Sequence, residues 1–159
     1  MMTMKSFADL ANLSSFTDHE VTDLLLTINR LKTFKGWPFD NIQNAKCTSF
    51  ELARSGFYMT SNEENAPSAK CMCCLKDLTW EEEDIPLDEH LRIMPHCRLA
   101  NLISEKKEID MTVRDTIGIL SMREVSMAVN KQLDQDVSMI RSALKYNDEL
   151  VTKTLRNIA

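Results

Sequence analysis

The sequence predicts an α+β chain: three short antiparallel strands with flanking short helices, then a long C-terminal helix. Three observations carry this. The aromatic residues Phe34, Trp37, Phe39, Phe50, Phe57, Tyr58 and Trp80 lie in one stretch, and beyond it only Tyr146 remains, so one compact core belongs to residues up to about 100. All 4 prolines (Pro38, Pro67, Pro86 and Pro95) precede residue 100, and Gly118 is the only glycine after it, which is a helical composition. Between these two regimes stand Cys71, Cys74, His90 and Cys97, in a spacing that suits a metal-held domain.

The elements follow in order. Met1 to Phe16 reads as a loose arm with a short apolar pattern at Phe7, Leu10, Leu13 and Phe16. Thr17 or Asp18 caps a helix to about Leu31, whose apolar face is Val21, Leu24, Leu25 and Ile28. A turn falls at Lys35-Gly36-Trp37-Pro38. Thr48 and Glu51 stand in capping-box order and start a helix over Ser49 to Ser55, ended by Gly56.

Phe57 to Thr60 reads as the first strand, and Ser61 to Ser68 as a loop. Strands around Lys70–Met72 and Leu78–Trp80 complete an antiparallel meander. Pro86 opens a helix over Leu87 to Ile93 that carries His90, and Pro95 follows its end.

From about Met111 the pattern is helical throughout. Val125, Val129, Leu133 and Val137 are four apart. Leu133, Val137, Ile140, Leu144, Val151 and Ile158 then fall on alternating four- and three-residue steps, with Asn147 and Thr154 in the two gaps. That is a coiled-coil seam with polar interruptions. A helix of about forty residues at ~1.5 Å per residue reaches roughly 60 Å and cannot bury its seam on so small a domain. Partner helices would cover it. The expected organisation is an arm over residues 1–17, a metal-held domain over 18–100 and a helical tail over 101–159.

Composition excludes several functions. The chain of 159 residues has a formal charge of −5, a poor balance for direct nucleic-acid binding but compatible with a basic peptide or a free amino terminus. No stretch approaches the ~18 apolar residues of a membrane span. Met1 to Phe16 has one lysine and no continuous apolar run, so it is not read as a signal peptide. The 5 cysteines then argue for reduced thiols in the cytosol or nucleus, where clustering points to metal rather than disulfides.

The metal pattern is Cys-x2-Cys, His and Cys, and zinc favours four such ligands in a tetrahedron. With Cys71, Cys74, His90 and Cys97 all bound, no position is left for water, so one structural zinc ion is expected rather than a catalytic one. A zinc hydrolase would need an open site and an oriented base, and Glu82 and Glu83 are the only nearby candidates. No catalytic residue is expected. Cys73 could replace Cys74, but Cys-x-Cys closes a tighter loop. Cys47 reads as a small buried residue, His19 as exposed, and His96 as flanking the site without ligating.

With these residues placed, the region from about Asn29 to Leu99 resembles a baculoviral IAP repeat, or BIR domain. The matching segments are Arg30-Leu31-Lys32-Thr33-Phe34 with Trp37-Pro38, Leu52-Ala53-Arg54-Ser55-Gly56-Phe57-Tyr58, and Cys71-x-x-Cys74. Leu78-x-Trp80, Asp84-x-Pro86, Glu89-His90 and Pro95-x-Cys97 continue the match. The single repeat and long helix resemble the survivin-like branch, the tail in architecture only.

That resemblance implies a non-enzymatic scaffold and targeting subunit of the chromosomal passenger complex. Its long helix would bundle with borealin-like and INCENP-like helices, and its groove would bind a histone tail or other N-terminal peptide. It implies a place at centromere and spindle midzone in dividing cells, besides the cytoplasm. A homodimer through the arm and the Trp37 region is a further option.

In the family, peptides add as a strand beside the third strand. Here that edge is Lys76 to Trp80. Leu78 and Trp80 would line the pocket for a small first side chain, Asp84 would meet the peptide's amino group, and Lys76 matches a lysine that approaches a phosphate. A phosphate-contacting histidine would fall near Ile93, and the stretch from Cys74 to Trp80 is one residue short. The alternative function is an inhibitor of apoptosis that binds caspases or their antagonists through the same groove. It has no use for an apolar seam on the tail.

Overall fold

The computed structural model describes residues 17–158, apart from the side chains of residue 152 and residues 154–158. The arm pattern Phe7, Leu10, Leu13 and Phe16 therefore lies outside the described residues, as does the side chain of Ile158. The class is the expected one: short helices, one three-stranded antiparallel sheet and a long C-terminal helix.

The expected first helix is two, α1 (His19–Asp23) and α2 (Thr27–Leu31). Asp18 caps α1, accepting from the Glu20 and Val21 amides at 2.9 and 3.4 Å. The break has a physical cause in Arg30. Its guanidinium is buried and draws the Leu24 and Leu25 carbonyls onto Nη1 at 2.7 and 2.8 Å, while Nε donates to Ala53 O at 2.8 Å. These carbonyls are thereby diverted from helical pairing, and the helical phase restarts at Thr27. Ile28, expected on the apolar face, is consequently exposed.

Trp37 lies in the core, its indole N–H donating to Cys47 O at 2.9 Å and its ring edge-on to Phe34 and Phe39. It is 2% exposed. Thr48 caps α3 (Ser49–Arg54) by accepting from the Glu51 amide at 3.3 Å. The Glu51 carboxylate turns to Arg54 instead of closing the box.

The sheet runs β1 (Phe57–Ser61), β2 (Ser68–Cys71), β3 (Asp77–Thr79), in that spatial order. Phe57 pairs with Cys71 and Ala69 with Leu78, so the buried faces of β1 and β2 converge on the cysteines. A bulge between Met59 and Ser61 takes up one residue of β1. β3 is an edge strand, and the Trp80 amide extends its ladder to Pro67 O at 3.0 Å.

Helix α4 (Pro86–Ile93) starts on its proline, and α5 (Arg98–Glu105) follows directly. Helix α6 runs Val113–Ile158. Thr112 and Asp115 box its start: the Thr112 amide donates to Asp115 Oδ2 at 2.9 Å and the Asp115 amide to Thr112 Oγ1 at 3.3 Å. Lys106 and Arg98 also reach this carboxylate, and hydrogen bonds from Lys106 and Thr112 hold it well below the usual carboxylate range.

The chain divides into two compact units, the first ending at Ser126 and the second beginning at Met127. Leu102, Ile119 and Leu120 are buried in the first unit, so residues 101–126, which the sequence groups with the tail, belong to it. Among the described residues no helix is long and apolar enough to cross a membrane.

Candidate metal centre and groove

Strand β2 delivers Cys71, and the chain then turns sharply. The Leu75 amide donates to Cys71 O at 3.1 Å and the Cys71 amide to Lys76 O at 3.0 Å. Leu75 closes this knuckle at φ 60°, left-handed backbone that costs a non-glycine residue about 1 kcal/mol. The Cys73 amide points at Cys71 Sγ, 3.3 Å away, and favours its thiolate form. Helix α4 supplies His90, and Cys97 stands at the N-terminus of α5.

These residues converge. The ligand atoms of Cys71, Cys74, His90 and Cys97 all lie within 4.8 Å of one another, and all four residues are buried. Cys71 Sγ is 3.9 Å from Cys97 Sγ, and Cys74 Sγ is 3.5 Å from His90 Nε2. Zinc bonds of ~2.3 Å to sulfur and ~2.0–2.1 Å to nitrogen give tetrahedron edges of about 3.8 and 3.5 Å. The donor set thus has the chemistry and size to hold a metal ion.

His90 Nδ1 lies 2.9 Å from Ser55 O, and since a carbonyl only accepts, Nδ1 carries the proton and Nε2 is the free ligand nitrogen. Electrostatics also favours a cation here. Burial pulls the His90 imidazolium down, but the Cys74 and Cys97 sulfurs override it and push the pKa up to about 9. Hydrogen bonds from the Cys71, Cys73 and Cys74 sulfurs hold the Cys97 thiol far below its ordinary value, while burial pushes Cys71 up.

Cys73 is buried but outside the ligand set; its sulfur donates to Ile119 O at 3.6 Å. Beside it, Arg123 Nη1 donates to Met72 O at 2.7 Å. The first turns of α6 therefore rest on the knuckle. Sequence reasoning missed this contact, since neither residue type signals it. Cys47 is buried away from the cluster, and His19 and His96 are exposed.

The residues expected at the groove are brought together in part. Leu78, Trp80 and Asp84 line a pocket of about 340 Å³ with Thr79, Glu81 and Arg92. Lys76 is exposed at the approach to β3 and is not among the lining residues. Trp80 is 2% exposed, edge-on to Phe57 at 4.9 Å, and Phe57 packs tilted against His90 at 4.5 Å. One aromatic ring thus separates the pocket wall from the metal ligand. The Trp80 Nε1–H is buried with no acceptor among the described residues. Asp84 Oδ2 accepts from the Glu81 amide at 2.8 Å, which folds the acidic turn over the pocket.

On the second unit, Leu133, Ile140, Leu144 and Val151 are 57–63% exposed, and Val137 is half-buried. Met139, Tyr146 and Leu150 are exposed as well.

Residues 30–101 match the family model described as the Inhibitor of Apoptosis domain, BIR. Baculoviral IAP repeat-containing protein bir-2 of Caenorhabditis elegans is 32% identical over 124 residues, covering 78% of this chain and 40% of that protein. Baculoviral IAP repeat-containing protein 5.2 of Xenopus tropicalis is 32% identical over 109 residues, 68% of this chain and 67% of that one. The Chromosomal passenger complex protein bir-1 of Caenorhabditis elegans is 31% identical over 109 residues, 69% and 65% of the two chains. The chain thus spans less than two thirds of the two nematode proteins.

Proposed function

The chain belongs to the Inhibitor of Apoptosis domain (BIR) family, and from that premise we propose that it is a survivin-like, non-enzymatic scaffold and targeting subunit of a chromosomal passenger complex. One observation carries this reading: an apolar seam at coiled-coil spacing, Leu133, Val137, Ile140, Leu144 and Val151, largely exposed on the second unit. Such a seam needs helices from other chains, because the hydrophobic effect favours covering it. The name of the nematode relative bir-1 points to the same kind of assembly. The partners are borealin-like and INCENP-like helices, and the site of action is the centromere and spindle midzone of dividing cells.

Cys71, Cys74, His90 and Cys97 hold one structural zinc ion, which supplies folding energy to the first unit. The edge of β3 takes a peptide amino terminus, such as a histone tail, by strand addition. Leu78 and Trp80 receive its first side chain, and Asp84 offers a carboxylate to its ammonium group. Lys76 stands at the approach. A caspase-directed inhibitor would use the same groove but leave the seam without a role.

Affinity capture of the full chain from dividing cells tests this. Wild type should retain borealin-like and INCENP-like subunits, and a double variant Ile140→Asp, Leu144→Asp should lose them while keeping its zinc. A wild-type chain that is monomeric and retains neither subunit overturns the reading.

A further inference from the structure

The sulfurs of Cys71, Cys73, Cys74 and Cys97 gather around the metal centre, one more than the Cys3His ligand set uses. The surplus thiol is Cys73, fully buried and placed between Cys71 and Cys74 in the knuckle. Its amide faces Cys71 Sγ at 3.3 Å, and its thiol is within hydrogen-bonding reach of the Cys97 sulfur. Its other partners are weak ones for sulfur: Ile119 O at 3.6 Å and the Leu99 amide. The ligands themselves are not equally sheltered. Cys71, His90 and Cys97 have no exposed surface, whereas Cys74 is 6% exposed. Cys74 is therefore the ligand that a solute meets first.

We propose that Cys73 is a reserve metal ligand: when Cys74 leaves a thiophilic divalent ion, Cys73 takes its place, and the ion stays bound by Cys71, Cys73, His90 and Cys97. The inference rests on the zinc reading given above. Cys71 and Cys73 then close a Cys-x-Cys chelate, a tighter loop and so the second choice while Cys74 is intact. Consecutive Cα atoms stand only ~3.8 Å apart, so adjacent residues of one knuckle can offer sulfur to one point after a local turn of the chain. The exchange balances. The metal bond to the Cys74 sulfur breaks and one to the Cys73 sulfur forms, while the Cys73 thiol proton passes to the Cys74 thiolate. Where an alkyl halide takes Cys74 instead, the alkyl group bonds to its sulfur, halide leaves, and the Cys73 proton goes to solvent. Either way the ion keeps three thiolates and one neutral imidazole, so the charge of the site is unchanged. A reagent that strips the outermost ligand then leaves the first unit metal-bound and folded.

The test uses the full chain loaded with zinc or with cobalt(II), whose thiolate-to-metal charge-transfer absorbance grows with each coordinated sulfur. Wild type, Cys73→Ser and Cys74→Ser should all show the intensity of three sulfurs, and the double variant Cys73→Ser, Cys74→Ser should not. In chelator competition Cys74→Ser should hold zinc within about ten-fold of wild type, and the double variant at least about a hundred-fold more weakly than wild type. Cys74→Ala is the second variant where serine packs poorly. In the unsubstituted chain, limited iodoacetamide labelling should modify Cys74 before the other ligands, and native mass spectrometry should find zinc on the singly labelled protein. The same label on Cys73→Ser should empty the site. Cys74 variants that bind metal through two sulfurs, or bind none, overturn the inference. So does first labelling at another ligand, or a labelled wild type that loses zinc as Cys73→Ser does. A wild-type chain with no zinc and no cobalt charge-transfer band sinks the zinc reading itself, a distinct result.

Discussion

The imidazole Nδ1–H of His90 donates to the carbonyl oxygen of Ser55 at 2.9 Å, tying the metal ligand on α4 to the last turn of α3. This bond selects the tautomer that presents Nε2 to the sulfurs. It also makes the backbone after α3 part of the metal site, and that backbone turns on Gly56.

Gly56 has φ 96°, and a Cβ there would stand 2.8 Å from Leu99 Cδ2. Gly56→Ala therefore meets both backbone strain and a clash, which together should cost about 2–4 kcal/mol in denaturant unfolding. Because Ser55 O moves with it, zinc affinity should fall at least about ten-fold in competition with a chromophoric chelator. A variant of unchanged affinity would separate the turn from the site.

Metal removal should unfold the first unit. Atomic absorption is expected to give one zinc per chain, and excess chelator should abolish cooperative thermal unfolding of residues 17–126. Cys71→Ser and Cys97→Ser should behave alike. Cys73→Ser should keep its zinc, since Cys73 lies outside the ligand set.

Protons should compete with the metal. Without a cation, burial lowers the His90 pKa and the Cys74 and Cys97 sulfurs raise it, the net result being a rise from 6.5 to about 9. A raised folded-state value stabilises the metal-free fold fully below 6.5, and that contribution is lost as pH rises through about 9. Zinc binding has the opposite slope, because the proton on Nε2 must leave. Apparent zinc affinity should climb by about ten-fold or more per pH unit across this window, the ligand thiols adding their own proton release. A pH-independent affinity would show that binding displaces no proton from the cluster, which overturns this ligand set.

Arg30 should be irreplaceable in its pocket. Burial lowers its pKa to about 10 although the Glu108 charge pulls it up, and among the described residues its donors go to the carbonyls of Leu24, Leu25 and Ala53 and the Thr27 hydroxyl. Arg30→Met takes the side-chain donor from the Leu24 and Leu25 carbonyls, whereas Ala53 O keeps the Gly56 amide, and should cost about 3 kcal/mol in chemical denaturation. Arg30→Lys should recover little, because an ammonium cannot reproduce the planar fork.

Much of this architecture was legible because its signals are local. Cys-x2-Cys spacing, a proline before α4, and an absence of proline across α6 each act over a few residues. The break between α1 and α2 was not legible. Val21, Leu24, Leu25 and Ile28 have helical spacing, and the competing demand comes from Arg30, whose own donors reach Ala53 across the core. Helix α5 was missed although Leu99, Leu102 and Ile103 carry its period, because the reading passed from Cys97 to the tail. The docking of Arg123 and Ile119 on the knuckle rests on main-chain acceptors, which no side-chain pattern records.

The placement of the tryptophans has a practical consequence. The chain has 2, Trp37 and Trp80, each 2% exposed and both in the first unit. Trp80 lies one ring from His90 and also lines the groove. Indole emission from the unlabelled protein is therefore an optical gauge of the first unit alone, reporting metal loading and groove occupancy. The second unit, whose one aromatic is Tyr146, is dark to that excitation, so a tryptophan-free helical partner could assemble on it without disturbing the signal.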